Sequence, residues 1–444
     1  MNLSSSRPSA NHLYLQVYEH YKEEILTQRL SPGTKMPSLR RCSQELGLSR
    51  TTVESAYLQL AADGYLIARP QSGYYVTEIA RNHPITVPAP TQRKPAVLYN
   101  FAGSGVDRES FSFDTWRRYI KSALGQSERL LTYGEPQGEP DLRQALCDYI
   151  RERRNVICSP DDIVVGAGVQ SLLHILCPLI RREKRTVSFP TSSFYQGIQL
   201  FSDYDFDVHF RDKSCDVIYV SPAHMTKWGE IMPVSRRMEL VRHAARQGSL
   251  IIEDDFENEF VYLQRPTPSL YSLSGEKNVI YIGSFSKLLL PSIRLSFMVL
   301  PPYLQEKYQK TGRYYNQTAS KAEQIALCQY IRDGHLSSQI RRLRRLYSEK
   351  MKRLVETVYQ VFGADASVKV GASGTSLLLH LPYTQGKERF LREAERLGIK
   401  LEVLDGNETQ VSVILSCSAM PSQAFLPGCE LLSKLCQNDF RERI

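Results

Sequence analysis

Apolar side chains recur at helical spacing between residues 11 and 30, at Leu13, Val17, Tyr21 and Ile25, until Ser31-Pro32-Gly33 interrupts them. That spacing predicts an amphipathic helix over 11–30. A second, shorter helix is expected over 38–46. Ser38 follows Pro37 and can cap its free N–H groups, and Gly47 can close it. A third opens at Ser49, carries Val53, Tyr57 and Leu60 on one face, and stops at Asp63-Gly64. Two short helices joined by a glycine-containing turn form a helix-turn-helix pattern. The stretch YLIARPQSGYYV then reads as a strand, a tight turn at Ser72-Gly73 and a second strand, a wing with Arg69 near its tip.

The pattern changes beyond residue 99. Short β-branched runs alternate with helix-length segments: Ile163–Val165, Thr186–Phe189, Val217–Val220, Leu250–Glu253, Val279–Ile282 and Leu295–Val299. Such alternation predicts an α/β unit with a mainly parallel sheet covered on both faces. Between the two patterns, residues 81–98 (RNHPITVPAPTQRKPAVL) carry four prolines and no acidic residue, and are expected to form an extended, semi-rigid linker. The expected organisation is a small unit over 1–80, a linker over 81–98 and a large unit over 99–444.

Charge sharpens this division. Of 56 Lys and Arg against 47 Asp and Glu, a net +9, the first 98 residues hold 11 against 7. The excess is densest in these first 98 residues, small unit and linker together, which favours a polyanion partner there. No apolar run reaches the roughly 18–20 residues of a membrane span, and no apolar signal core opens the chain, so a cytoplasmic protein is expected. The nine cysteines lie singly with no C-x-x-C pair. They read as reduced thiols, and no metal site is expected.

Ser49, Arg50, Thr51 and Thr52 occupy the first turn of the third helix, where free N–H groups and hydroxyls suit phosphate oxygens and Arg50 can fork onto a guanine edge. Alone, this is an ordinary capped helix start; beside the wing it reads as a duplex DNA reader. Residues 11–79, through LSPGTKMPSLRRCSQELGLSRTTVESAYLQLAADGYL, resemble a GntR-type winged helix-turn-helix domain. The resemblance implies that Arg40, Ser49, Arg50, Thr51 and Thr52, with Arg69 and Gly73 of the wing, face operator DNA. Arg41 joins them only as an adjacent basic residue. Pro70-Gln71 depart from the more basic or glycine-rich tip usual in that family.

In the large unit the informative residues follow the carboxyl ends of the strands, where ligands gather in such sheets. Asp254-Asp255-Phe256 follow one strand, Gly283-Ser284-Phe285-Ser286-Lys287 with Arg294 follow another, and Gly166-Ala167-Gly168-Val169-Gln170 follow a third and open a helix. Any one of these has a bland reading, such as a surface lysine or a turn aspartate. Together, an amine, a carboxylate one strand away and an anion cradle are the parts of a pyridoxal phosphate site. Residues 99–444 resemble a fold-type I (class I/II) aminotransferase domain, the match carried by YGEPQGEPDLRQAL, SPAHMTKWGEIMPVSRR, IIEDDFENEF and YIGSFSKLLLPSIRLSFMVLP. Fused to the winged domain, it makes the chain look like a MocR/GabR-type transcriptional regulator. The resemblance implies that Lys287 forms the Schiff base, Asp254 pairs with the pyridine nitrogen, and Ser284, Ser286 and Arg294 hold the phosphate with the backbone of Gly168-Val169-Gln170. It further implies that Tyr195 stacks on the ring and that Tyr133 reaches the cofactor phosphate of a neighbouring subunit; core packing is the alternative for Tyr133. His224 is either a cofactor contact or a satisfied core histidine.

The departures bear on activity. Phe256 stands where the family usually has tyrosine, so a hydroxyl donor is lost and the Schiff-base proton affinity shifts. No arginine lies between Arg396 and Arg441 to clamp a substrate carboxylate, and Gln410-Val411-Ser412-Val413 stand roughly where one is usual. The arginine-rich helix 340–361 is expected to be a solvated face, with Leu343, Leu346 and Leu354 inward; a DNA-supporting patch is the sharper alternative. The expected protein is a homodimeric DNA-binding regulator whose aminotransferase-like domain senses an amine, an amino acid or pyridoxal phosphate itself. A working aminotransferase with a DNA-binding appendage, and a regulator that no longer binds the cofactor, are the alternatives.

Overall fold

Serine caps and left-handed glycines set the boundaries of the small unit's helices, as the sequence leads one to expect. In a computed structural model, which describes residues 10–78, 97–103, 105–106, 108–261, 267–275, 277–363, 366–407 and 409–441, three helices span Ala10–Leu26, Leu39–Leu46 and Arg50–Ala62. Ser38 Oγ accepts the Arg41 N–H and Ser49 Oγ the Thr52 N–H, caps worth about 1 kcal/mol each. Gly47 ends the second helix at φ 64°. Val17, Ile25, Cys42, Val53, Tyr57, Leu60 and Val76 are buried in one core.

Two expectations are corrected here. The first helix ends at Leu26, short of residue 30, because the chain turns through Gln28 at φ 58°. The wing strands Leu66–Arg69 and Gly73–Val76 are joined by Pro70, Gln71 and Ser72, so Gly73 lies in the second strand and not in the turn. Gln71 takes the left-handed conformation, and the Ser72 N–H donates to the Arg69 carbonyl at 3.0 Å.

The chain divides into two compact units between Lys94 and Pro95. Of the expected linker, residues 81–96 lie outside the described residues. The large unit is built on a seven-stranded sheet in the order Ile163–Gly166, Ser296–Val299, Val279–Ser284, Leu250–Asp254, Val217–Val220, Thr186–Phe189, Asp207–Phe210. Only Ser296–Val299 runs antiparallel to its neighbours. Apart from the edge strand Asp207–Phe210, the sheet's strands are buried on both faces, with one core cluster around Leu172, Phe201 and Ile252 and the other around Ile251, Phe297 and Leu343. The six expected strands are present; Asp207–Phe210 is an addition at the edge. A second sheet is antiparallel, in the order Val368–Val370, Ser376–Pro382, Gln410–Ser416, Glu402–Gly406. The strand Tyr99–Asn100 pairs in parallel with Ile399–Lys400, which anchors the chain just beyond the linker to the C-terminal part of the same unit.

The basic helix spans His335–Phe362 and is not simply solvated on its polar face. Leu343 and Leu354 are buried as expected, but Lys350 is buried as well and donates to the Met420 carbonyl at 2.6 Å. Arg344 donates to the Glu259 carbonyl at 2.5 Å and Arg342 to that of Glu109. Among the described residues no helix is long and apolar enough to cross a membrane.

Candidate functional site

In the small unit, the third helix begins where Ser49 caps it, and the hydroxyls of Thr51 and Thr52 lie 2.9 and 2.7 Å from Ser49 Oγ. Arg40, Ser49, Arg50 and Thr51 are exposed, and Thr52 is half-buried. Arg41 is exposed too, but its guanidinium donates to Glu45 at 2.7 Å, so its charge is answered within its own helix. Arg69 and Gly73 face each other across the wing. The Arg69 guanidinium lies 4.5 Å from the Tyr75 ring centroid, a cation–π contact that orients it along the hairpin.

In the large unit, the carboxyl ends of three strands meet at a cavity of about 570 Å³. Asp254 and Ser284 are the last residues of their strands. Asp254 Oδ2 accepts the Tyr219 hydroxyl at 2.6 Å, while its Oδ1 is buried and has no partner. Burial, opposed by that hydroxyl, raises the Asp254 carboxyl to about 6. The Ser284 hydroxyl lies 3.3 Å from Ser286 Oγ and 3.0 Å from Ser296 Oγ. Arg294 takes a left-handed backbone (φ 53°), and its side chain lies along the glycine turn before the helix Val169–Ile180. Gly168 has φ 90°, and a Cβ there would sit 2.3 Å from Arg294 Nη2, so only glycine lets the guanidinium lie against this turn. Val169, Gln170, Ser284, Ser286, Arg294 and His224 all line the cavity.

Lys287 Nζ donates to the Gly103 carbonyl at 2.9 Å and lies 3.3 Å from Glu257 Oε1. His224 Nδ1 stands 3.4 Å from Glu257 Oε2 without a well-aligned hydrogen bond. His224 is therefore part of this cluster rather than of the core. Burial opposes ionisation of Glu257, but the Lys287 charge and His224 outweigh it and hold the carboxyl down at about 2. Glu257 has little signal in the sequence, only an acidic residue two places after Asp255 in a motif whose first carboxylates are already committed.

Two expected residues lie elsewhere. Tyr195 opens the helix Tyr195–Asp203, is 71% exposed and does not line the cavity. Its neighbour Phe194 does, packed against Tyr219 with ring centroids 5.3 Å apart, because the helix start turns Phe194 inward and Tyr195 outward. Tyr133 is fully exposed, which sets aside core packing as its role. Phe256 lines the cavity with no hydroxyl to offer. Gln410–Ser416 is a strand whose Val411 and Val413 are buried and whose Ser412 hydroxyl meets His380 at 3.0 Å. Away from the cavity, His209, Asp212 and Cys215 bring ligand-type atoms within 4.8 Å of one another, although Asp212 already accepts the Ser214 N–H and hydroxyl.

The residues present fit pyridoxal phosphate. The unpartnered Asp254 Oδ1 suits a pyridinium N–H, the helix start with Ser284, Ser286 and Arg294 suits a phosphate, and Phe194 and Tyr219 supply an aromatic wall.

Comparison with known proteins bears on both units. Residues 13–76 match the family described as bacterial regulatory proteins, gntR family, and residues 106–382 match aminotransferase class I and II. The uncharacterized HTH-type transcriptional regulator YhdI of Bacillus subtilis is 35% identical over 416 residues, covering 89% of this chain and 88% of that protein. The probable rhizopine catabolism regulatory protein MocR of Rhizobium meliloti is 28% identical, covering 88% and 86%. Among solved structures, an archaeal alanine:glyoxylate aminotransferase superposes with a TM-score of 0.69 at 20% identity, over 79% of this chain and 93% of that one. At that identity the likeness speaks for the fold alone.

Proposed function

The chain belongs to the MocR/GabR-type transcriptional regulators, a GntR-family helix-turn-helix region joined to a class I and II aminotransferase domain, and from that membership we propose that its large unit binds pyridoxal phosphate at Lys287 and uses it to sense a small ligand. When bound, the cofactor supplies an electrophilic carbon at which amines exchange. The protein's residues do the rest: Asp254 holds the ring nitrogen, Ser284, Ser286, Arg294 and the Gly168-Val169-Gln170 backbone hold the phosphate, and Lys287 anchors the carbonyl carbon. The observation that carries this reading is the buried, unpartnered Asp254 Oδ1 at the wall of a cavity that also presents a phosphate cradle.

Sensing is favoured over turnover by chain chemistry. Between Arg396 and Arg441 no arginine is present to clamp a carboxylate, and Phe256 donates nothing to the cofactor. An amine, an amino acid or the cofactor itself is the effector class. Signalling has a physical starting point, since Lys287 holds the carbonyl of Gly103, a few residues past the linker, in the stretch that also pairs with Ile399–Lys400. A change at the lysine nitrogen therefore bears on the chain that leads to the DNA-binding unit. Absorbance with added cofactor tests binding, and half-reaction spectra with candidate amino acids separate the sensor from a working aminotransferase.

Two outcomes follow. Arg50→Ala weakens binding to a duplex selected by the protein from a randomised pool by about 1–3 kcal/mol, with a smaller loss on unselected duplex. Equal losses on both would reduce Arg50 to a phosphate contact. The protein acts as a homodimer in the cytoplasm, and its partner covers the exposed Leu131 and Tyr133, 86% and 100% accessible in the single chain. Leu131→Asp with Tyr133→Asp shifts sedimentation from dimer toward monomer; an unchanged dimer places the interface elsewhere.

A further inference from the structure

We propose that Glu257 is a positioning residue for Lys287: the buried counter-ion that holds the lysine nitrogen beside the cavity wall and answers its positive charge when that nitrogen carries the cofactor. This rests on the cofactor reading above and goes beyond it.

The argument starts from the backbone. Glu257 sits at φ 60° and ψ 9°, a left-handed conformation that costs a side-chain-bearing residue of order 1 kcal/mol unless its surroundings hold it there. That turn aims the carboxylate into the protein, where it is 7% exposed. Oε1 lies 3.3 Å from Lys287 Nζ; Oε2 faces His224 Nδ1 at 3.4 Å and the Thr375 hydroxyl at 3.5 Å. A carboxylate so buried keeps its charge only with a cation beside it, and the Lys287 ammonium is the one within reach.

The other carboxylates nearby are committed elsewhere. Asp254 is bonded to Tyr219, Asp255 to Arg154 and Tyr281, and Glu402 to Lys227. Glu257 alone among them reaches Lys287. Its neighbour Phe256 puts a ring centroid 5.9 Å from Lys287 Nζ and offers no hydroxyl. The task of tuning charge near the cofactor, which a tyrosine donor performs in the resembling family, passes here to the Glu257 carboxylate beside the lysine nitrogen. A neutral donor near the cofactor oxygen and an anion near the nitrogen differ in effect. The anion favours the protonated, yellow form of the cofactor-linked nitrogen and extends it to higher pH.

The test is a pH titration of the absorbance of the full-length protein with pyridoxal phosphate. In the wild type the yellow form persists into the alkaline range. In Glu257→Gln its midpoint falls by about 1–3 pH units, and Glu257→Asp, which keeps the charge, recovers part of the difference. Loss of cofactor affinity with an unchanged midpoint would make Glu257 merely structural and overturn the proposal. If Glu257→Gln does not fold, Glu257→Asp carries the test alone, because its charge stands one methylene farther from the nitrogen. A midpoint equal to the wild type would then overturn it. A wild type that never turns yellow defeats the cofactor reading first and this inference with it, whereas a yellow wild type with an indifferent Glu257 defeats the inference only.

Discussion

Replacing Lys287 by alanine abolishes the yellow absorbance with pyridoxal phosphate and makes binding to a selected duplex indifferent to added cofactor or amine. Lys287 stands just behind the cavity wall, its nitrogen 5.9 Å from the Phe256 ring centroid, whereas Lys227, the lysine that lines the cavity, is paired with Glu402. The same change frees the Gly103 carbonyl from its 2.9 Å hydrogen bond, so the route toward the linker loses its starting contact. The winged unit keeps its fold because it has its own core. Basal DNA affinity in the absence of ligand is therefore retained. Spectra and duplex-binding isotherms on the same preparation check both halves. A Lys287→Ala protein whose DNA affinity still responded to cofactor would remove the Schiff base from the signalling account.

The largest loss of stability is expected from Arg154→Met. Arg154 and Asp255 form a bidentate pair at 2.6 and 3.0 Å, with side chains 4% and 0% exposed. Tyr281 donates to the same carboxylate at 2.7 Å, and Arg154 also bonds the Thr267 carbonyl. Removing the guanidinium leaves Asp255 charged and buried beside Glu253, whose carboxyl is already pushed up by burial and by Asp255. The loss of one partner of such a pair costs about 3–5 kcal/mol. Arg154→Met with Asp255→Asn restores part of that stability, since the stranded charge disappears with its partner. Denaturant unfolding of the single and double variants measures this. If the double variant were less stable than the single, Asp255 would be held chiefly by Tyr281 rather than by Arg154. The pair also fixes the turn that presents Asp254, Phe256 and Glu257, so the single variant binds cofactor more weakly.

The winged unit was largely legible in the sequence because its signals are local. Ser38, Gly47 and Ser49 set helix ends through bonds within a few residues. The wing turn is less legible: Gln71 takes the left-handed position inside the turn while Gly73 pairs with Arg69 in the strand, and a Pro-x-Ser turn has no strong signature. In the large unit, six buried strands were readable as short β-branched runs, whereas Asp207–Phe210 and the C-terminal antiparallel strands were not. DVHF, at the edge of its sheet, alternates weakly and is mostly exposed. Ser376–Pro382 is as apolar as a buried helix segment, and its pairing with Gln410–Ser416 crosses a long stretch of chain.

The site shows the same division. Asp254, Ser284, Ser286 and Arg294 lie within a few residues of strand ends, so motif and position agree. Tyr195 and Phe194 are adjacent aromatics, and only the helix start decides which one faces the cavity. Glu257 meets Lys287 and His224 through a left-handed turn that no local pattern announces.

Borohydride reduction of the full-length protein incubated with pyridoxal phosphate, followed by peptide mapping, tests the central claim most directly. The account predicts a phosphopyridoxyl group on Lys287 and its disappearance from that peptide when Gly168→Ala crowds Arg294 out of the phosphate cradle. A label on another lysine, or none at all in the wild type, would contradict it.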